Sequence, residues 1–278
     1  MRLSVPGKWQ GLPVRVVSAL VLAPPALVLL YLGSPYSDVM ICTVAVLVAW
    51  EWARLCGDGV VGMPGAALIA TVLAASTTAA LEFYSVSSWV IAAGSAAAAL
   101  AATRNRSGNA MWYAIGGVYL GSAMLAFLWL RADPFTGRAV ILWLIVVVWA
   151  TDVGAYMAGR SIGGPRLAPG ISPGKTWAGL AGGALAAAAV GSAAVLVLGM
   201  GTVDMVGLGR ITLLATVLAV VAQAGDLFES HLKRRAGAKD SSNLIPGHGG
   251  VLDRIDGLLA AALALGGVVW LTAGMGVV

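Results

Sequence analysis

The sequence predicts an all-α, polytopic integral membrane protein of about nine transmembrane helices with a cytoplasmic N-terminus. Three observations carry that expectation. The 278-residue chain is 59% hydrophobic and only 10% charged, with a mean hydropathy of +0.90, whereas roughly a quarter of an ordinary soluble domain is charged. Its apolar residues fall into nine runs, each near the roughly 20 residues that a helix needs to cross a bilayer. Its basic residues lie between those runs, almost all on one side of them.

The runs are 13–33, 38–56, 63–82, 86–103, 111–130, 138–159, 177–200, 210–228 and 251–276. The first follows Arg2, Lys8 and Arg15 as a signal peptide would, but it is long and lacks a convincing cleavage site. It reads as a helix kinked at Pro24-Pro25. The second carries Cys42 and Cys56, which offer neither a disulfide framework nor metal-ligand spacing and read as packing residues. The third, fourth and fifth rest on apolar length alone. The sixth holds Asp152 about two turns inside its end. The seventh contains Gly179, Gly183 and a run of alanines, the small-residue texture that lets membrane helices approach closely. The eighth ends near Asp226, and Asp253 with Asp256 opens the ninth at a spacing that shares one face.

With the N-terminus in the cytoplasm, fourteen of the 17 Lys and Arg residues face that side and only Arg131, Arg138 and Arg210 face the other. Such an excess marks the cytoplasmic loops. It places both polar loops, 160–176 and 229–250, in the cytoplasm. The net charge of +5 does not argue for nucleic acid, because basic residues set between apolar runs establish topology and meet anionic lipid or phosphate.

The acids are the chemically informative residues. An ionised Asp at mid-membrane costs roughly 2.5–3.5 kcal/mol, less near the interface, so several at one depth imply partners or a wet cavity. Pairing with Arg160 or Arg254 accounts for any one of them. As a group, Asp152, Asp226, Asp253 and Asp256 suit a hard cation such as Mg²⁺, which takes one or two carboxylates plus substrate phosphates. Ser172, Lys175 and Thr176 precede the seventh helix, where free N–H groups, a hydroxyl and an ammonium make a phosphate cradle. Simple capping of the helix by Ser172 or Thr176 is the competing reading. Loop 229–250 adds Lys233, Arg234, Arg235 and Lys239, then "PGHGG", whose glycines allow backbone to approach a ligand. Together these features fit phosphoryl or nucleotidyl transfer, which needs positioning and charge neutralisation more than a dedicated nucleophile. A CTP-dependent lipid or polyprenol kinase is one alternative, and a transporter of an anionic solute with carboxylates for its coupling ion is another.

The stretch "SHLKRRAGAKDSSNLIPGHGGVLDRID" resembles the signature of the phosphatidate cytidylyltransferase (CDP-diacylglycerol synthase) family. Its positions are filled by Ser230, Lys233, Arg234, Lys239, Asp240, Pro246, His248, Gly249, Gly250, Asp253, Arg254 and Asp256. "WATDVGAYMAGR", "SPGKTW" and "GDLFES" also resemble family segments, "WEWARL" is a faint echo, and the nine-helix layout agrees. Two positions depart from the family's Ser-Pro-Lys-Lys-Thr-Trp-Glu-Gly: Gly174 stands for the first lysine and Ala178 for the glutamate. The Asp-Gly-x-x-Ala-Arg arrangement of the CDP-alcohol phosphotransferases is absent.

The resemblance implies a Mg²⁺-dependent nucleotidyltransferase of phospholipid biosynthesis that converts CTP and phosphatidic acid into CDP-diacylglycerol and pyrophosphate, with a second cation left open. It implies the plasma membrane, an active site on the cytoplasmic side, contact with membrane lipid, no nucleic acid, and a homodimer as the family expectation. Asp226 and Asp253 become the principal metal ligands, with Asp256 joining directly or through water. Lys175 and Lys239 join the catalytic set. Ser172, Thr176, Lys233, Arg234, His248 and Arg254 become ligands of substrate phosphate, and Asp152 either supports the metal site or partners a basic residue. On this reading 1–278 is one membrane-embedded domain, with 1–140 for packing and dimer contacts and 141–278 for catalysis.

Overall fold

The computed structural model describes residues 12–105, 109–198 and 204–274. Arg2, Lys8 and Arg106, which count toward the predicted orientation, lie outside the described residues. Within them the chain forms α1 (Leu12–Leu32), α2 (Tyr36–Cys56), α3 (Met63–Ala80), α4 (Tyr84–Arg104), α5 (Ala110–Ala132) and α6 (Gly137–Ser161). Two short strands follow, β1 (Arg166–Ala168) and β2 (Ser172–Thr176), and then α7 (Trp177–Val197), α8 (Met205–Arg235) and α9 (Leu252–Gly274). Among the described residues eight helices, α2 to α9, are long and apolar enough to cross a membrane, which makes the chain a multi-pass membrane protein. In α1 the apolar stretch is shorter, Leu20–Leu32, and the helix continues through Pro24 and Pro25.

The helix ends fall within three residues of the apolar runs except in α8. That helix has 31 residues, about 46 Å at 1.5 Å per residue, well beyond the roughly 30 Å of a hydrocarbon core. The segment 229–235, expected as loop, is therefore its last two turns. Leu232 is buried there, and Lys233, Arg234 and Arg235 occupy the last turn, where cations complement the negative end of the helix dipole.

The loop 160–176 also departs from an all-α reading. Its strands pair antiparallel in a hairpin, Arg166 opposite Thr176 and Ala168 opposite Ser172. Ile171 N donates to Ala168 O at 3.2 Å, so Pro169 occupies the second position of the turn, where its fixed φ is already suitable.

Packing follows the small residues. A Cβ on Gly183 of α7 would stand 2.8 Å from Thr151 O of α6, and one on Gly225 of α8 would stand 2.9 Å from Asp256 O of α9. Only glycine lets these backbones approach so closely. Between α2, α5 and α8, the rings of Trp52, Tyr119 and Phe228 fill the core, with Tyr119 and Phe228 edge to face at 5.3 Å. Trp52 buries its indole and donates Nε1 to Trp112 O at 2.9 Å. Apolar side chains such as Trp89, Leu185, Leu213 and Trp270 stay exposed around the bundle, as surface in contact with lipid requires.

Candidate active site

The close approach of α8 and α9 brings acids together at the end of the bundle where α8 finishes and α9 begins. Asp226 and Glu229 are three residues apart and share a face of α8, and Asp256 lies in the second turn of α9. Each of the three offers a carboxylate oxygen within 4.8 Å of the others. Lys175, from the end of β2, places Nζ 2.8 Å from Asp226 Oδ2 and donates to Gln223 O at 3.2 Å. Ser230 Oγ donates to Asp226 Oδ1 at 3.3 Å. Asp152 on α6 interacts electrostatically with Asp226, Lys175 and Arg254.

Glu229 is the informative member. Its side chain is 2% exposed. Lys233 Nζ forms an ion pair with Oε2 at 2.5 Å, while Oε1 has no hydrogen-bond partner among the described residues. A buried carboxylate oxygen left without a donor is unusual. Beside Asp226 and Asp256, Glu229 forms an all-oxygen set that fits a hard divalent cation, and such a cation would favour the ionised form of three acids crowded together.

Asp253, predicted as a principal ligand, is placed differently. Lys233 Nζ donates to its Oδ1 at 2.6 Å, while Oδ2 accepts from Ser241 N at 2.9 Å, Ser241 Oγ at 2.9 Å and Gly250 N at 2.8 Å. Both oxygens are thus occupied by the chain, and Asp253 is not part of the three-acid group. It organises the 241–250 loop, whereas Asp256, one turn further into the helix, reaches the acids of α8. Lys233 bridges the two sets through Glu229 and Asp253.

The predicted phosphate ligands divide in the same way. Thr176 is buried and its Oγ1 accepts from Gly179 N at 3.0 Å, capping α7. Ser172 lies half-buried in β2. Arg234 donates Nε to Ile171 O and Nη1 to Ala238 O, both at 3.2 Å, and so ties α8 to the hairpin. His248 Nδ1 shares a 2.7 Å hydrogen bond with Ser18 Oγ of α1. Arg254 and Lys239 are exposed, and Lys239 lines a cleft of about 480 Å³ with Arg54, Asp240 and Asn243. At Gly174 a Cβ would meet nothing within 4 Å, so the missing family lysine leaves open space.

Two residues carry more than the sequence reading assigned them. Glu229 lies one turn beyond Asp226, and that spacing was its signal. Glu51, in the apolar run of α2, is buried at 0% exposure and accepts hydrogen bonds from the 241–252 segment. An acid inside a transmembrane helix was the signal that marked it.

Comparison with known proteins bears on the same residues. The model of the cytidylyltransferase family matches residues 13–271. A phosphatidate cytidylyltransferase of Pseudomonas aeruginosa is 41% identical over 273 residues, covering 92% of this chain and 96% of that protein. A phosphatidate cytidylyltransferase of Brucella suis is 46% identical over 168 residues, which cover 60% of this chain and 60% of that relative. One of Haemophilus influenzae is 43% identical over 129 residues, 46% of this chain and 45% of that relative. The matched stretches in the Brucella and Haemophilus proteins therefore span less than two thirds of their lengths. The family match covers the hairpin, the acids of α8 and α9 and Glu51 alike, and the Pseudomonas relative aligns over nearly the full length of both chains, so the chain belongs to the cytidylyltransferase family.

Proposed function

We propose that this protein transfers the cytidylyl group of CTP to phosphatidic acid, forming CDP-diacylglycerol and pyrophosphate, and that it requires Mg²⁺. The observation that carries the reading is the group Asp226, Glu229 and Asp256, in which one buried oxygen of Glu229 has no donor among the described residues, with Lys175 at its edge. The relatives are named phosphatidate cytidylyltransferases, which supports the two substrates. Asp226, Glu229 and Asp256 would hold the cation, which supplies charge neutralisation for the triphosphate when bound.

The remaining work belongs to the chain's own cations and loops. A phosphate oxygen of phosphatidic acid is already anionic, so it attacks the α-phosphorus of CTP without a strong general base. The new P–O bond forms as the bond from the α-phosphorus to the bridging oxygen breaks, and pyrophosphate leaves with both electrons of that bond. Lys175, Arg254 and Lys239 offset the charge that builds on the leaving group. Lys175 can pass from Asp226 to a phosphate as substrate arrives, because its side chain is 15% exposed at the mouth of the acid group. Arg234, Thr176 and Asp253 hold the surrounding loops in shape. The reaction takes place on the cytoplasmic side of the plasma membrane, the side favoured by the basic residues, within a homodimer, and the cation-bearing part lies in 141–278.

The test is purified full-length protein in lipid–detergent micelles with Mg²⁺, phosphatidic acid and CTP labelled in the cytosine ring. Label in a lipid product together with released pyrophosphate is the expected result. With CTP labelled instead at the γ-phosphate, label that reaches lipid identifies a kinase. Uptake by sealed vesicles without pyrophosphate release identifies a transporter.

A further inference from the structure

We propose that Glu51 is a positioning residue for the catalytic site, reaching it from α2 without touching substrate; the inference rests on the cytidylyltransferase reading above. Its carboxylate accepts from four donors on one distant segment: Ser241 Oγ at 3.2 Å, Ser242 Oγ at 2.5 Å, Val251 N at 2.9 Å and Leu252 N at 2.6 Å. Leu252 is the first residue of α9. Its N–H belongs to the first turn, where a helix has no intrahelical acceptors and its dipole favours an anion. Glu51 thus caps α9 from another helix and fixes where that helix begins.

What the cap fixes is the site. Asp253 follows Leu252 directly, and Asp256 lies one turn on. The Ser241 hydroxyl sits between two carboxylates, 3.2 Å from Glu51 Oε2 and 2.9 Å from Asp253 Oδ2. Asp253 holds Lys233, and Lys233 approaches Glu229 of the acid group. A continuous set of direct contacts therefore runs from Glu51 through Ser241, Asp253 and Lys233 to Glu229. Gly250 completes the fit, since a Cβ there would lie 2.8 Å from Glu51 Cδ. Plain packing in α2 would be met by an apolar side chain; a carboxylate at 0% exposure is tolerated because four donors satisfy it.

The test compares Glu51→Gln, Glu51→Asp and Ser242→Ala with wild type in the purified, full-length protein. Gln keeps one acceptor but turns an N–H₂ group toward donors. Glu51→Gln is expected to lower kcat and raise the half-saturating Mg²⁺ concentration, each by about 10–100-fold, as loss of an orienting partner does. The KM for phosphatidic acid stays within about threefold because Glu51 meets no substrate. Glu51→Asp, which keeps the charge on a shorter stem, recovers part of the loss. Amide exchange is expected to rise in the 241–252 segment and not in the β-hairpin. If Glu51→Gln does not fold, Ser242→Ala must show the same signature at smaller size. Wild-type kcat, Mg²⁺ dependence and 241–252 exchange in the folded variants would overturn the proposal. So would a loss that only tracks the folded fraction. If wild type makes no CDP-diacylglycerol, the functional reading fails, and amide exchange still decides whether Glu51 orders the segment.

Discussion

Lys175 Nζ lies 2.8 Å from Asp226 Oδ2, which ties the end of the β-hairpin to α8 one turn before Glu229. The pair joins a residue of the phosphate-type loop to a member of the acid group, so the two halves of the proposed chemistry meet in one contact. Ser230 donates to the other oxygen of Asp226 at 3.3 Å. Lys175 is consequently held where a phosphate bound over the acids would meet it.

Replacing that ammonium tests the arrangement. Lys175→Met keeps much of the stem and removes the charge, and it is expected to lower kcat/KM by about 100-fold or more, as removal of one charge-stabilising donor does. The partner carboxylate remains 35% exposed, so water can solvate it and the fold survives. Turnover measured beside thermal unfolding in detergent checks both halves; a folded variant with full activity would remove Lys175 from the chemistry, and an unfolded one would show that Asp226 depends on it for stability.

Much of this molecule was legible before its structure, and the parts that were not have physical reasons. Helix number and position followed from apolar length, because a bilayer leaves few other solutions. The extension of α8 through Glu229–Arg235 was hidden because polar residues outside a membrane look alike in a helix and in a loop. The hairpin was hidden for a related reason: five residues of β2 carry too little pattern to be told from loop, although Pro169-Gly170 marked the turn. Asp226 and Asp256 were readable as partners from chemistry and resemblance. The grouping of Glu229 with them, and of Asp253 with Lys233 and the loop, was not, since the direction in which a helical carboxylate points depends on how α8 and α9 pack. Glu51 lay in plain view as an acid in an apolar run, but its partners stand about 190–200 residues away, a separation that no local pattern spans.

The family departure at Gly174 gives a prediction in the opposite direction. A Cβ there meets nothing within 4 Å, and the residue is exposed. Gly174→Lys is therefore expected to leave stability within about 0.5 kcal/mol, while the added cation near Lys175 lowers the KM for CTP or phosphatidic acid by a few-fold. Steady-state kinetics at low and high salt check it, because a through-water charge effect fades as ionic strength rises.

The hairpin and Lys175 are carried by α7, so its contact with α6 should set how firmly they are held. Gly183→Leu places a Cβ 2.8 Å from Thr151 O and 3.2 Å from Ala155 Cβ, with neither backbone free to yield. The expected cost is about 1–3 kcal/mol, the usual penalty for overpacking. Thermal unfolding in detergent measures it, and an unchanged melting temperature would show that α6 and α7 are not so tightly apposed.

Glu229 and Asp253 differ by their partners, and that difference can be measured. Glu229→Gln removes a charge from the acid group and leaves Lys233 its bond to Asp253. The half-saturating Mg²⁺ concentration is expected to rise by about 10–100-fold, with a smaller loss of stability in chelator than Asp253→Asn shows, because Glu229 gives up its ion pair with Lys233 but no loop donors. Asp253→Asn breaks a buried ion pair whose side chains are 3% and 11% exposed and disturbs three donors on the loop. That change is expected to cost about 3–5 kcal/mol of folding stability, visible as a lower melting temperature with and without Mg²⁺. Mg²⁺ should raise the melting temperature of wild type and of Asp253→Asn, but much less that of Glu229→Gln, since only binding to the folded state stabilises it. The reverse pattern, with a shifted Mg²⁺ requirement and an unchanged melting temperature in Asp253→Asn and a normal Mg²⁺ response in Glu229→Gln, would transfer the cation from Glu229 to Asp253.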